Sequence, residues 1–253
     1  MKLPLVYFWE VEFDREERVL QTSGLDVEEK ESRSEIVTGS QHGHRTASSA
    51  TRENILEVAT EEFANKGLSG ARVDTIAEKT RTTKRMIYYH FQSKEKLYEA
   101  VLEQIYAKFS NSFAPFDIKE LSPDEALTQL IGEAFDFDDA HPQFIRLVVN
   151  ENIHYGKYIK KIAAIKENFK NAMAALDEIV DRGQREGFFR RDANVLDVHL
   201  LIRSMCFFRV SNRYTFGEIF NMDFLQDETR ANQKRMIVEA VLGYLRYRDD
   251  KPT

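Results

Sequence analysis

Apolar residues recur with a helical period in each long segment from about residue 51 onward, and this limits the fold more than any other feature. In ENILEVATEEFANKG, Ile55, Ala59 and Phe63 stand at i, i+4 and i+8 with Leu56 beside them. That is one stripe of the kind a helix buries. Gly67 follows where such a helix would stop on a left-handed residue. In ARVDTIAEKT, Val73, Ile76 and Ala77 make a second, shorter face, and TTKRMIYYHF sets Ile87 and Phe91 one turn apart. Thr82 or Thr83 suits the cap of that third helix, because a Thr hydroxyl oxygen accepts from first-turn N–H groups. Ser93 caps the next helix, with Glu95 in its positive first turn.

The later segments carry the same signals. SPDEALTQLIGEAF opens with Ser122, Pro123 and two acids, a helix start. HPQFIRLVVNENIHYG starts at a proline as well. YIKKIAAIKENFKNAMAALDEIVDRGQREG reads as one long amphipathic run ending at Gly187. ANVLDVHLLIRSMCFFRV follows Asp192 as its candidate cap, and DETRANQKRMIVEAVLGYLRYR follows with Asp227 as cap. No alternating strand pattern stands after residue 45. With 5 Pro and 11 Gly, few turns interrupt the helices. The expectation is an all-α protein. No apolar run approaches the roughly 18 residues of a membrane span. The single cysteine, Cys206, excludes an internal disulfide framework and suits a reducing cytoplasm.

Charge divides the chain unevenly. Residues 1–44 hold ten acids against five Lys and Arg. They read as a disordered acidic extension, although LVYFWEVEF has strand character and polar 38–50 reads as a linker. Acids follow the short apolar run LPLVYFW, so a signal peptide is not expected. The functional alternative for this arm is self-masking or partner binding.

Residues 72–96 reverse the sign, with seven Lys and Arg against three acids in a chain whose net charge is −6. DNA carries about one negative charge per 1.7 Å of axis, so a compact cationic surface suits it. Three short helices, the third basic and aromatic, suggest a helix-turn-helix that places its third helix in the major groove. Lys84 and Arg85 in the first turn are candidates for guanine O6 and N7, with Thr83 beside them. Met86 suits a thymine methyl. Tyr88, Tyr89 and His90 suit phosphate oxygens. Lys94 and the first-turn amides after Ser93 suit a further phosphate.

The block ILEVATEEFANKGLSGARVDTIAEKTRTTKRMIYYHFQSKEKLYEAV resembles the DNA-binding domain of the TetR family of bacterial transcription regulators. The likeness runs from Ile55, Leu56, Ala59, Phe63 and Gly67 through Val73, Ile76 and Ala77. It continues in Tyr88, Tyr89, His90, Phe91, Ser93, Lys94, Glu95 and Leu97. After the acidic extension over 1–44, it implies a helix-turn-helix domain over 45–95 and a larger helical ligand-binding and dimerisation domain over 96–253. It further implies a homodimer on a double-stranded DNA operator, a small-molecule effector and a cytoplasmic, nucleoid-associated location. Three departures stand out. Thr80-Arg81-Thr82 occupies a turn that is usually Ala-Gly-Val, Arg85-Met86 replaces a common Gly-Thr, and Arg72 replaces a capping Thr and offers a phosphate contact instead.

The resemblance places the dimer seam on two helices at about 194–211 and 227–247. Candidate seam residues are Leu200, Met205, Phe208, Met236, Ile237, Ala240, Val241 and Tyr244. Polar residues in apolar helices either pair internally or meet a ligand. Those are Glu151, Asn152, His154, His199, Arg203, Cys206 and Asn212, with Arg203 or Arg209 suited to a carboxylate. FDFDDAHP brings Asp136, Asp138, Asp139 and His141 together, which reads as the polar end of one helix capping the next rather than a metal site. Neither a nucleophile elbow, a glycine-rich phosphate loop nor an H-E-x-x-H pair occurs, so no enzyme, cofactor or metal is expected. The competing functional class is a helical protein-interaction module using the acidic arm, with an enzyme behind it.

Overall fold

Caps set where most of these helices begin. The computed structural model describes residues 40–112 and 120–246. Helix α1 spans Ser40–Gly70, α2 Val73–Lys79, α3 Lys84–Phe91 and α4 Lys94–Ser112. Then come α5 (Pro123–Ala140), α6 (Pro142–Ile153), a 3-10 turn (Ile159–Lys161), α7 (Ala163–Arg185), α8 (Val195–Ser211), α9 (Arg213–Phe220) and α10 (Asp227–Arg246). Every regular element among the described residues is helical, as the periodicity requires. The acidic arm and its strand-like LVYFWEVEF lie outside the described residues.

Thr83 caps α3 by accepting the Met86 N–H at 3.2 Å, and Ser93 accepts the Lys96 N–H at 3.1 Å. Ser122 and Glu125 exchange side-chain-to-backbone bonds in a full capping box. Other boundaries differ from the sequence reading. Helix α1 begins at Ser40, inside the expected linker. That stretch has no proline, and adding a residue to an existing helix gains a hydrogen bond at little cost. Gly67 interrupts α1 as expected, at φ 64 and ψ 174, where only glycine sits without strain. Asn194, not Asp192, caps α8 by accepting the Leu196 N–H at 2.8 Å. Asp192 is instead held by Arg190 at 2.7 and 2.8 Å. Asp227 is the first residue of α10 rather than its cap. The expected long run from Tyr158 breaks at Ile162 (φ −108, ψ 89). The buried Glu151 carboxylate fixes that break by accepting the N–H groups of Tyr158 and Ile159 at 3.1 and 3.0 Å.

The turn between α2 and α3 closes with paired bonds, Arg81 N–H to Glu78 O and Thr82 N–H to Ala77 O, at 3.1 and 3.0 Å. This is the Schellman arrangement, whose residue past the helix end must be left-handed. Arg81 takes that place at φ 52. A non-glycine residue there costs roughly 1–2 kcal/mol. Arg81→Gly should therefore raise unfolding free energy by about 1 kcal/mol, read from the urea midpoint at unchanged m-value. An unchanged or lower midpoint would count against this reading of the turn.

From Gly43 onward the described residues form one compact unit built on two cores. The first joins Ile55, Phe63, Ile76, Ile87, Leu97, Val101 and Phe109 with Phe144, Ile145 and Leu147 of α6. The second gathers α5, α7, α8 and α10 around Leu127, Ile131, Ile179, Ile202 and Val241. Helix α4 thus shares one core with the short helices before it and with α6 after it.

Candidate functional site

Ile87 and Phe91 turn one face of α3 into the first core, and the opposite face is left to solvent. Thr83, Lys84, Arg85, Met86, Tyr88 and Tyr89 are all exposed, Tyr89 by 76%. Thr83 is engaged as the cap, but its hydroxyl proton remains available to donate. The Lys84 ammonium lies 3.1 Å from Asp74 on α2. This exposed pair is worth little, so an incoming base or phosphate can replace Asp74. His90 is half-buried edge-on to Tyr89, with centroids 5.4 Å apart. Its Nε2 is buried without a hydrogen bond among the described residues.

Arg72, exposed just before α2, makes no side-chain cap. Its N–H donates to the buried Glu62 carboxylate of α1 at 3.4 Å, and Lys79 approaches the same carboxylate at 3.6 Å. Glu62 thereby does part of the capping Thr's work from another helix. At the start of α4, the Lys94 ammonium donates to Ser69 O at 3.4 Å. Bonds from its own backbone amide and Ser93 hold the Glu95 carboxyl below its ordinary range. The order Arg72, α3 face, Lys94 therefore forms one cationic margin carried by three consecutive helix starts.

A second feature lies deeper. Tyr106 and Phe109 of α4, Phe144 and Val148 of α6, Phe169 of α7, and Arg203, Ser204 and Phe207 of α8 line a cleft of about 290 Å³. Phe109 stacks on Phe144 with centroids 5.0 Å apart, and the Arg203 guanidinium sits 4.7 Å over the Phe109 ring. Tyr106 and Phe169 also line a wider groove of about 750 Å³, with Lys166 and Lys170 on its wall.

Two family models match the chain: the tetR family of bacterial regulatory proteins over residues 55–101, and the tetracyclin repressor-like C-terminal domain over residues 123–241. The HTH-type transcriptional repressor NicS of Pseudomonas putida is 34% identical over 196 residues, covering 78% of this chain and 92% of NicS. The chain belongs to the TetR family of bacterial transcription regulators. A crystal structure of a transcriptional regulator from Streptomyces coelicolor is 28% identical, with a TM-score of 0.59, covering 77% of this chain and 98% of that one. FadR of Bacillus subtilis, solved in complex with stearoyl-CoA, shares the fold at a TM-score of 0.59 and 18% identity over 76% of this chain and 98% of its own.

This TetR-family chain is thus a DNA-binding transcription regulator. Among its described residues no helix is long and apolar enough to cross a membrane. Its polar residues singled out from sequence do not converge on one pocket. Glu151 anchors the turn after α6. Asn152 donates to Val148 O at 2.9 Å, and His154 is exposed at the end of α6. Asn212 donates to Phe208 O at 3.2 Å and to Ser211. Cys206 is wholly buried in the second core, and burial pushes its thiol up to about 12. Arg203 alone of the seven lines the cleft. His199 stands against its wall, edge-on to Phe169 at 5.3 Å.

The FDFDDAHP carboxylates meet arginines and a lysine at the end of α5, but Asp138 is wholly buried and His141 precedes α6 without a side-chain cap, so they form an ion-pair cluster rather than the cap expected for the next helix. Asp138 accepts from Arg203 at 2.9 Å, Asp139 from Arg209 at 2.5 Å and Arg230 at 2.7 Å, and Asp136 from Lys234 at 2.6 Å. The aromatic lining escaped sequence reading because Phe109, Phe144 and Phe169 sit in ordinary core registers. Nothing in a 3.6-residue period separates a residue that fills a core from one that edges a cleft.

Burial, then the Arg203 charge, pulls His199 down from 6.5 to about 4. Between those pH values the unfolded chain holds a proton that the folded chain rejects. Stability should therefore rise as pH climbs through that window. His199→Phe should remove this part of the slope, read from urea midpoints at pH 4.5 and 6.5. An identical slope in the variant would mean that His199 stays charged in the fold.

Proposed function

We propose that the protein is a repressor that binds a palindromic operator as a two-fold homodimer, releases it when a small molecule enters the cleft, and carries out no catalysis. The observation that carries this is α4. Its first residue, Lys94, belongs to the cationic margin, and its Phe109 lines the cleft. The functional division is 1–44 as an acidic arm, 45–95 as the DNA-reading part and 96–253 as the ligand and dimer part, acting in the cytoplasm where DNA is reached. NicS is a repressor, and FadR was solved with a bound acyl thioester; both support the reading.

The DNA contacts divide by role. Lys84 and Arg85, with Met86 and Thr83, read base edges; Arg72, Tyr88, Tyr89, His90 and Lys94 hold phosphates. Lys84→Ala and Arg85→Ala should shift operator preference by roughly 1–3 kcal/mol per base pair read. Lys94→Ala should weaken all sequences alike and flatten the salt dependence. Competition binding over an operator library at two salt concentrations separates these outcomes. Unaltered selectivity in the first two variants would overturn the assignment.

Release runs through two helices. A ligand against Phe109 and Phe144 bears on α4 and α6 together. On α6 the Arg146 guanidinium donates to Asn65 of α1, and Asn150 lies close to Gly67. Moving either helix re-aims α3 relative to its mate on half-sites about 34 Å apart. The ligand shifts the balance only by its differential affinity, typically about 1–3 kcal/mol. By linkage, operator DNA weakens ligand binding by the same factor. Genomic footprinting of the protein, followed by calorimetric titration of the ligand with and without operator, tests this. Equal ligand affinity in both titrations excludes release by that ligand.

A further inference from the structure

The Arg203–Asp138 pair is closed on one edge only. Arg203 Nη2 donates to Asp138 Oδ1 at 2.9 Å, while Nη1 and Asp138 Oδ2 are both buried without a hydrogen bond among the described residues. Stacking on Phe109 occupies the face of the guanidinium but leaves the in-plane N–H bonds of Nη1 unmet. A half-satisfied buried pair is expensive in a low-dielectric setting. A purely structural bridge would be better served by a second bond or by apolar residues. The orphan donor also belongs to a residue that lines the aromatic cleft.

The wider ion cluster is balanced: Arg203, Arg209, Arg230 and Lys234 meet Asp136, Asp138, Asp139 and Asp227. What favours an acid is the unmet Arg203 Nη1 donor, since a hydrogen bond to a charged group is among the stronger ones. Glu151 acts electrostatically on Tyr106, and two backbone amides bind its Oε2. Size and lining favour a ring. An apolar cavity of about 150 Å³ holds benzene, so about 290 Å³ takes one ring with its substituent. Five aromatic side chains, Tyr106, Phe109, Phe144, Phe169 and Phe207, supply edges and faces for it.

We infer that the cleft takes a small aromatic monocarboxylate, its ring among these side chains and its carboxylate accepting from Arg203 Nη1. This rests on the effector reading above and names the effector's chemistry. Titration of the full-length protein with benzoate, benzamide, hexanoate and stearoyl-CoA, each scored also for displacement of a footprinted operator, tests it.

Benzoate should bind about tenfold or more tightly than benzamide, the margin expected when a buried charged donor loses its charged acceptor. It should also outbind hexanoate and release the operator. The double variant Arg203→Gln/Asp138→Asn keeps a neutral bonded pair and should lose the preference for benzoate over benzamide. Should that variant not fold, the wild-type series decides alone. Benzamide or hexanoate equal to benzoate, or a double variant that keeps the preference, overturns the inference. Operator release by stearoyl-CoA but not by benzoate overturns it too, while leaving the repressor reading intact. Failure to bind any operator fragment would instead sink the repressor reading itself.

Discussion

Replacing both Leu200 and Phe208 by Glu should leave a folded monomer whose operator affinity is lower by about a thousandfold or more. Leu196, Leu200 and Phe208 lie at intervals of four and eight along one side of α8, 64%, 66% and 49% exposed, and Met236 of α10 is 54% exposed. Such a stripe is costly to leave in water and suits a helix-on-helix seam between two copies. Carboxylates at its centre would face their own symmetry mates, adding like-charge repulsion to lost apolar burial. One helix-turn-helix then grips a single half-site. Specific complexes exceed non-specific ones by about 10³–10⁷, and most of that margin needs both halves. Because these side chains already meet water in the protomer, its own stability should change little. Sedimentation and operator titration decide the matter: a dimer of full affinity carrying both substitutions would put the seam elsewhere.

Arg209→Ala should be strongly destabilising, at about 3–5 kcal/mol. Arg209 is 5% exposed. Its guanidinium grips both oxygens of Asp139 at 2.5 and 3.0 Å, and Nε donates to Gln233 at 2.8 Å. The Phe224 carbonyl accepts from Nη2 at 3.3 Å, and the Phe135 ring lies 4.0 Å below. Removing it strands a largely buried carboxylate on Arg230 alone and opens a void beneath Phe135. Burial would raise the Asp139 pKa, but bonds from Arg209 and Arg230 outweigh it and hold the carboxyl below 3.8. The pair's contribution is therefore complete above that pH and lost as pH falls through the lower folded value. Urea unfolding at pH 7 measures the deficit. Arg209→Met with Asp139→Leu should cost much less than the single change, since stranded charge, rather than lost attraction, sets the penalty.

The parts of the fold legible from sequence are those decided within one turn of helix. Ser122 with Glu125, Thr83, Ser93 and Gly67 act on neighbours three or four residues away, so their pattern reveals them. Even locally, competition can win: Asp192 looks like a cap, but Arg190 takes its carboxylate and Asn194 caps instead. Helix α9 is not evident in the sequence because its eight residues make barely two turns, too few for a period to repeat, and none is buried. The seam candidates divided for a related reason. Ile237 and Val241 are 1% and 0% exposed in the second core, whereas Met236, one residue from Ile237, faces out. One step along a helix turns a side chain by about 100°. The cleft depends on pairings such as Asp138 with Arg203, 65 residues apart, and one-dimensional spacing carries no trace of them.

The solitary cysteine has a practical consequence. The Cys206 side chain is 0% exposed and its thiol is pushed up to about 12. Maleimides and iodoacetamides react with accessible thiolate, so they should leave the native protein unmarked. A cysteine introduced at an exposed position such as Arg85 would then be the sole labelling point, without first deleting the natural one. Paired dyes on the two copies of a dimer would report the distance between their recognition helices directly, in the same molecule, before and after ligand.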